Sequence, residues 1–212
     1  MITDTGPLLD VVGLTKKYDS RTILSDLCLQ VQAGTAVALI GANGSGKSTA
    51  LRCLSGHEDC RYESFTNRGR PIKVHSSSYR RQVFPIFDDF AFFPDITVLE
   101  HLELLAAVHD QEDGAEMALT ALKRFGIEHV ADDLPSMLSS GQIRRVAFAS
   151  AAIRPWNVLL LDEPEQRLDD EGRRSVIAFL GEQLGLGRGV VLATHDLAMV
   201  DELGARTISL AR

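Results

Sequence analysis

Along the first third of the chain the apolar positions fall in short runs. "LDVVGLTKKY" (residues 9–18) and "TILSDLCLQV" (22–31) read as strands, and in the second Leu27, Leu29 and Val31 alternate with polar or small neighbours, the period of a half-buried strand. After the turn "QAG", residues 36–40 read "AVALI". A continuous apolar run bounded by glycines predicts a strand covered on both faces. From Pro94 the period changes. Val98, Leu102, Leu105 and Ala106, then Ala118, Leu119, Leu122 and Phe125 ahead of Gly126, follow helical spacing, so residues 95–137 are predicted to be mostly helical. Strand character returns after Pro155 with "NVLLL" (157–161), then come a helix near 171–184, a strand "GVVLAT" (189–194) and a last short strand near "RTISL" (206–210). Strands alternating with helices imply an α/β fold on a mainly parallel sheet, with a helical segment inserted into it.

The 212 residues suffice for one substantial core, or for a core with a small appended lobe. No apolar run approaches the roughly 20 residues of a membrane-spanning helix. The opening residues lack a secretory pattern, and Cys28, Cys53 and Cys60 are too scattered for a disulfide framework, so a reducing cytoplasm is expected. With 22 basic and 29 acidic residues the net charge is −7, and nucleic acid is not an expected partner.

The candidate chemistry begins at residue 41. "GANGSGKS" fits the phosphate-loop pattern G-x-x-x-x-G-K-[ST], with a strand before it and helix-compatible residues after it. Gly41, Gly44 and Gly46 let the backbone wrap close to phosphates. Lys47 can reach the β/γ oxygens, and the Ser48 hydroxyl can ligate Mg²⁺. "VLLLDEP" delivers two adjacent carboxylates at the end of an apolar strand. Alternation points them apart, which suits Asp162 to holding Mg²⁺ and Glu163 to orienting or deprotonating water. His195, in "VVLATHD", follows another buried-looking strand and is expected at the same rim of the sheet, although a lone histidine is more often structural. "HEDC" (57–60) reads as a polar loop before a zinc site. "LSSGQ" (138–142) opens an amphipathic run, "IRRVAFASAAI", and so forms a second anion-binding helix start.

In this order and at these separations the phosphate loop, "LSSGQ", "LLLDEP" and "ATHD" resemble those of the ABC ATPases. The chain is similar to the nucleotide-binding subunit of an ABC transporter from about residue 9 onward. The resemblance implies a single domain, 1–212. Its P-loop NTPase core, about 1–94 and 155–212, would hold a mainly parallel sheet and an N-terminal antiparallel β segment, with an inserted helical subdomain at about 95–154 that "FFPDITVLEHL" opens. It implies ATP and Mg²⁺ as cofactors, and Lys47, Glu163 and His195, the last at the γ-phosphate, as catalytic residues. Gly41, Asn43, Gly44, Ser45, Gly46, Lys47, Ser48 and Thr49 would bind the nucleotide, while Tyr18 either stacks on adenine or is a core tyrosine at a strand end. In this family two subunits pack head to tail, so Ser139, Ser140, Gly141 and Gln142 would serve the partner's nucleotide, with Leu168 and Asp169 in the loop that crosses between subunits. The implied partners are a second ABC ATPase subunit, identical or different, and a membrane-spanning permease that holds the chain at the inner face of the cell membrane.

Three positions depart from the family pattern. Ser140 stands where a second glycine is usual, Asp88 where a glutamine is expected, and Glu165 and Gln166 where small or hydroxyl residues are common. Asp88 could still ligate Mg²⁺, but it adds negative charge near a triphosphate and removes an amide donor. The five phenylalanines of "FPIFDDFAFFPDI" (84–96) fit either a groove for a permease helix or the core of the helical lobe. A soluble ATPase of an assembly machine and a weakly hydrolysing regulatory subunit are the alternative functions.

Overall fold

The computed structural model describes residues 6–210. Its contacts divide them into two compact units. The first extends through Pro85 and takes in Trp156–Pro164 and the chain from Leu180, and the second comprises Ile86–Pro155 and Glu165–Phe179.

The first unit carries two sheets. In the antiparallel one, β1 (Leu9–Tyr18) pairs with β2 (Arg21–Val31) and β4 (Ser64–Asn67), and β4 pairs with β5 (Arg70–Pro71). Leu24, Leu27, Leu29 and Val31 of β2 point inward. The alternation slips once, at Asp26, whose φ of 55° marks the bulge between Leu24 and Leu27. In the other sheet the order is β6 (Val83–Ile86), β7 (Val158–Asp162), β8 (Gly189–Ala193), β3 (Ala36–Ile40) and β9 (Arg206–Ser209). The pairs β7–β8, β8–β3 and β3–β9 are parallel. The three inner strands β7, β8 and β3 are buried almost throughout, as a sheet covered on both faces requires. The α/β expectation therefore holds, with the antiparallel segment at the N-terminal end. Registers place Leu39 and Asp162 both opposite Ala193, so β3, β7 and β8 end at one level.

Helix α1 (Lys47–Ser55) follows β3, and α7 (Leu197–Glu202) follows β8. The chain between α1 and residue 86 holds β4, β5, α2 (Ser77–Gln82) and β6, none of which the hydrophobic pattern announced. They are short, and Pro71 and Pro85 interrupt the strand signal.

The second unit contains α3 (Val98–Val108), α4 (Gly114–Arg124), two single-turn 3₁₀ helices and α5 (Ser140–Ile153). It also contains α6 (Asp170–Gly185) as far as Phe179. Thr97 and Glu100 form a capping box at the start of α3. The Thr97 N–H, then its hydroxyl, hold the Glu100 carboxyl below the usual range. Phe125 packs against Phe148 and Phe179 with ring centroids 6.0 and 5.5 Å apart. Leu119, assigned to the inward stripe, is instead 47% exposed, and Ala121 is buried in its place. Phe87 is buried and Phe93 exposed, while His101 is buried with its ring centroid 5.1–6.3 Å from those of Phe90, Phe92 and Phe93. Loss of hydration lowers the His101 pKa and favours the neutral imidazole. No helix among the described residues is long and apolar enough to cross a membrane.

Candidate functional site

The level ends of β3, β7 and β8 assemble the first site. The chain leaving β3 becomes the loop Gly41–Gly46, the chain leaving β7 carries Glu163, and that leaving β8 carries His195. Ligands bind at this carboxyl rim in open α/β sheets because strand ends and helix starts converge there. The loop turns into α1 at Gly46, whose φ is 100°. A Cβ at that position would come within 2.9 Å of Leu24 Cδ2, so both conformation and close approach call for glycine. With no capping side chain, the first amide of α1 to bond backward is that of Ala50, to Gly46 O at 2.8 Å. The N–H groups of Lys47, Ser48 and Thr49 have no acceptor within the helix.

Lys47 is 6% exposed, and its ammonium donates to Gly41 O at 2.9 Å and Ala42 O at 3.3 Å. It lies 3.0 Å from His195 Nε2. Donation to that nitrogen requires an imidazole with its proton on Nδ1. The Glu163 carboxylate is 3.8 Å from the same Nε2. Glu163 has φ of 45° while its N–H bonds Ala193 O at 2.8 Å. A bulky residue held in the left-handed region is costly and requires support of this kind. The structure thus brings Lys47, Glu163 and His195 together.

An open cavity of about 430 Å³ lies beside them, lined by Asn43, Gly44, Gly46, Lys47, Ser48, Thr49 and Glu163, and also by Arg21 and Ile23 of β2. A buried cation, open helix-start amides and room for several phosphates fit a nucleotide tail. The Ser48 hydroxyl and the Asp162 carboxylate at the β7 end are hard oxygen donors suited to Mg²⁺. Ser45 is buried, its Oγ unpaired and 2.7 Å from where a Gly41 Cβ would stand. Gly41 leaves that hydroxyl its place.

Arg21 and Ile23 were not foreseen, because a strand of the other sheet carries no local pattern that marks it as lining this cavity. Tyr18 is not among the lining residues. Its hydroxyl bonds the Glu58 carboxylate, the Lys16 ammonium sits 4.7 Å over its ring, and the ring is partly exposed. The bond to Glu58, reinforced by loss of hydration, raises the Tyr18 pKa.

The second helix start lies in the other unit. Ser139 caps α5, its hydroxyl accepting from Gln142 N at 3.3 Å while its own N–H donates to Gln142 Oε1 at 2.8 Å. This is a reciprocal capping box. Ser140 takes the first helical position, a backbone that any residue adopts, so the missing glycine strains nothing. Gly141 differs, since a Cβ there would stand 2.7 Å from Arg167 O. Ser140 and Gly141 line a cavity of about 530 Å³ together with His129, Arg145, Arg167 and Asp169. Arg145 is ion-paired with Asp169 and also donates to Phe125 O at 2.9 Å.

Asp88 belongs to this second unit, where its carboxylate is 3.2 Å from Arg167 Nη2. Arg167 has φ of 63°; its carbonyl packs close against Gly141 and its guanidinium pairs with Asp88. Sequence reasoning missed it. The two residues lie 79 apart in the chain, and one sequence gives no sign that they meet. The described residues hold no cluster of metal-ligating side chains of the zinc type, and "HEDC" forms a polar loop in which His57 Nδ1 is 2.8 Å from Ser55 Oγ.

Comparison with known proteins places these features in a family context. A family model described as ABC transporter matches residues 24–166. The chain is 36% identical over 203 residues to the macrolide export ATP-binding/permease protein of Burkholderia pseudomallei (strain 1710b), covering 91% of this chain and 31% of that protein. It therefore spans about a third of that relative's length. It is 31% identical over 208 residues to the arginine transport ATP-binding protein of Bacillus subtilis (strain 168), covering 95% and 86%. A dimeric ATP-binding cassette in a post-hydrolysis state, bound to ADP and Pi, superimposes with a TM-score of 0.84 at 26% identity, covering 95% of this chain and 94% of that one.

Proposed function

As the chain belongs to the ABC transporter family of ATP-binding proteins, we propose that it is an ATP-hydrolysing subunit that drives transport through a membrane-spanning permease on a separate chain. The convergence of Lys47, Glu163 and His195 at the rim of β3, β7 and β8 carries this reading. Lys47 and the α1 amides bind the β- and γ-phosphates, with Gly41, Asn43, Gly44, Ser45, Gly46 and Thr49 shaping the loop. Ser48 and Asp162 hold Mg²⁺, which neutralises phosphate charge in such sites. Glu163 orients the attacking water and takes its proton at the carboxylate, and His195 contacts the γ-phosphate. The helix start at Ser139–Gln142 has open amides and serves the nucleotide of a second subunit, so that ATP joins the two and hydrolysis lets them part. Asp88, paired with Arg167 in the second unit, tunes the rate and does not abolish it.

The test is to express the Glu163→Gln chain in its native host, solubilise membranes with Mg²⁺-ATP present, and identify what co-purifies. A stoichiometric multi-spanning membrane protein is the expected result. A soluble partner without a permease would overturn the transport reading in favour of an assembly ATPase, and a wild-type chain without Mg²⁺-dependent hydrolysis would leave a regulatory subunit.

A further inference from the structure

Gln142 does more than close the capping box of α5, because the far end of its amide meets a second residue. Its Oε1 accepts from the Ser139 N–H at 2.8 Å, and its Nε2 lies 3.3 Å from Nε2 of His129. His129 sits in the 3₁₀ turn Glu128–Val130 and lines the same cavity as Ser139, Ser140, Gly141 and Gln142. Backbone bonds fasten that turn. The Val130 N–H donates to Ile127 O at 3.1 Å and the Ala131 N–H to Glu128 O at 3.2 Å, while the Leu99 N–H of α3 donates to Ala131 O at 2.9 Å. Among the described residues the contact with Gln142 is the one hydrogen bond of the His129 side chain.

These partners leave one arrangement of protons. A side-chain amide accepts at its oxygen and only donates at its nitrogen. The Ser139 N–H takes the oxygen of Gln142, so the end turned to His129 is the NH₂. His129 must therefore accept at Nε2, as a neutral imidazole with its proton on Nδ1. A protonated imidazole carries N–H at both nitrogens and cannot accept. Turning the amide over would satisfy it, but would set the NH₂ against the Ser139 N–H. Either way one of the two bonds is lost.

The charged groups around the imidazole do not replace this bond. Arg145 and Arg167, which line the cavity with it, are paired with Asp169 and Asp88. In the last turn of α4, which packs against the 3₁₀ turn, Arg124 lies over the Phe179 ring, 5.0 Å from its centroid, and Lys123 can only donate. Glu171 on the cavity wall, Glu128 on the same turn, and Asp132 and Asp133 just beyond it form no ion pair with His129 among the described residues.

We propose that His129 is a positioning residue for the second helix start. As an acceptor it fixes the Gln142 amide, which holds the cap at Ser139 and with it the amides offered to the nucleotide of a second subunit. Neutral His129 supports this arrangement and protonated His129 opposes it. The inference rests on the two-subunit reading given above and adds to it a residue outside the signature turn.

The test measures ATP-dependent association of full chains carrying Glu163→Gln, by light scattering at about pH 8 and about pH 5.5, the span over which histidines change charge. Adding His129→Ala should weaken association roughly 3- to 10-fold at the higher pH, the worth of one neutral hydrogen bond. Adding His129→Gln, whose amide oxygen can accept in place of Nε2, should restore it. On acidification the parent should lose association by a similar factor relative to His129→Gln, which has no proton to gain. ATP affinity of the isolated chain should be the same in all three. Nitrogen NMR of the isolated parent should show His129 protonated on Nδ1 at the higher pH, with the Gln142 side-chain and Ser139 amide signals moving as His129 titrates. Equal association of His129→Ala and the parent, or a proton on Nε2 of the neutral ring, would overturn the proposal and leave the two-subunit reading intact. A parent that did not associate with ATP at all would overturn that reading, and the role given to His129 with it. Should His129→Ala fail to fold, the tautomer and the pH dependence of His129→Gln decide.

Discussion

The two helix starts, each beside a cavity of about 430 or 530 Å³, are built on opposite plans. At α1 the cap is a glycine in the left-handed region, no side chain caps the first turn by a hydrogen bond, and a buried lysine stands beside the open amides. At α5 a serine caps the helix, its own hydroxyl and the Gln142 amide satisfy part of the first turn, and the nearby Arg145 and Arg167 are engaged by Asp169 and Asp88. The first is preorganised to bind an anion alone, since fixed donors and a cation already point at one place. The second offers two amides and hydroxyls, and the two arginines beside them are already paired with carboxylates. Such a surface contributes to a phosphate that is already held elsewhere, which is the division of labour a composite site between two subunits demands.

The largest expected effect separates chemistry from binding at the first site. Glu163→Gln keeps the shape but removes the proton acceptor, so steady-state hydrolysis should fall on the order of 10²- to 10⁴-fold while ATP affinity is retained. Near-normal turnover would remove Glu163 from the role of base. Lys47→Ala comes next. Deleting charge-assisted hydrogen bonds costs about 1.5–3 kcal/mol, so nucleotide affinity of the isolated chain, measured by calorimetry, should weaken roughly 10- to 150-fold. Ser139→Ala sharpens the contrast. It should cost about 1 kcal/mol of stability through the lost cap and leave the affinity of the isolated chain unchanged. It should also weaken the ATP-dependent association of Glu163→Gln subunits seen by light scattering. If Ser139→Ala reduced nucleotide binding by the isolated chain, the two plans would not be distinct.

What was legible in the sequence follows from the range of each signal. The strands at 9–18, 22–31 and 36–40 and the loop at 41–48 were readable because alternation, a continuous apolar run and the glycine spacing each lie within one segment. The convergence of Lys47, Glu163 and His195 could be anticipated because all three follow strands of one parallel sheet. Cavity lining by Arg21 and Ile23 and the cage of phenylalanines around His101 depend on tertiary placement. Segments 64–67, 70–71 and 83–86 are too short to show a period, and the strands that tie 64–67 and 83–86 into their sheets, β1 and β7, are distant in sequence.

The smallest expected effect concerns Asp88. Its carboxylate and the Arg167 guanidinium are both about half exposed, and water and salt screen such pairs, so their coupling is worth less than about 1 kcal/mol. Asp88→Gln should therefore move the thermal midpoint by no more than about 2–4 °C. A double-mutant cycle with Arg167→Gln should give a coupling that vanishes as ionic strength rises. Hydrolysis should increase modestly, because the substitution supplies an amide donor and removes a negative charge. A large loss of stability would mean that Arg167 depends on Asp88 to hold its left-handed backbone, and with it the carbonyl 2.7 Å from the Cβ that Gly141 lacks. In that case the pair would set the position of the α5 helix start, and Ser139→Ala and Asp88→Gln would cease to be additive.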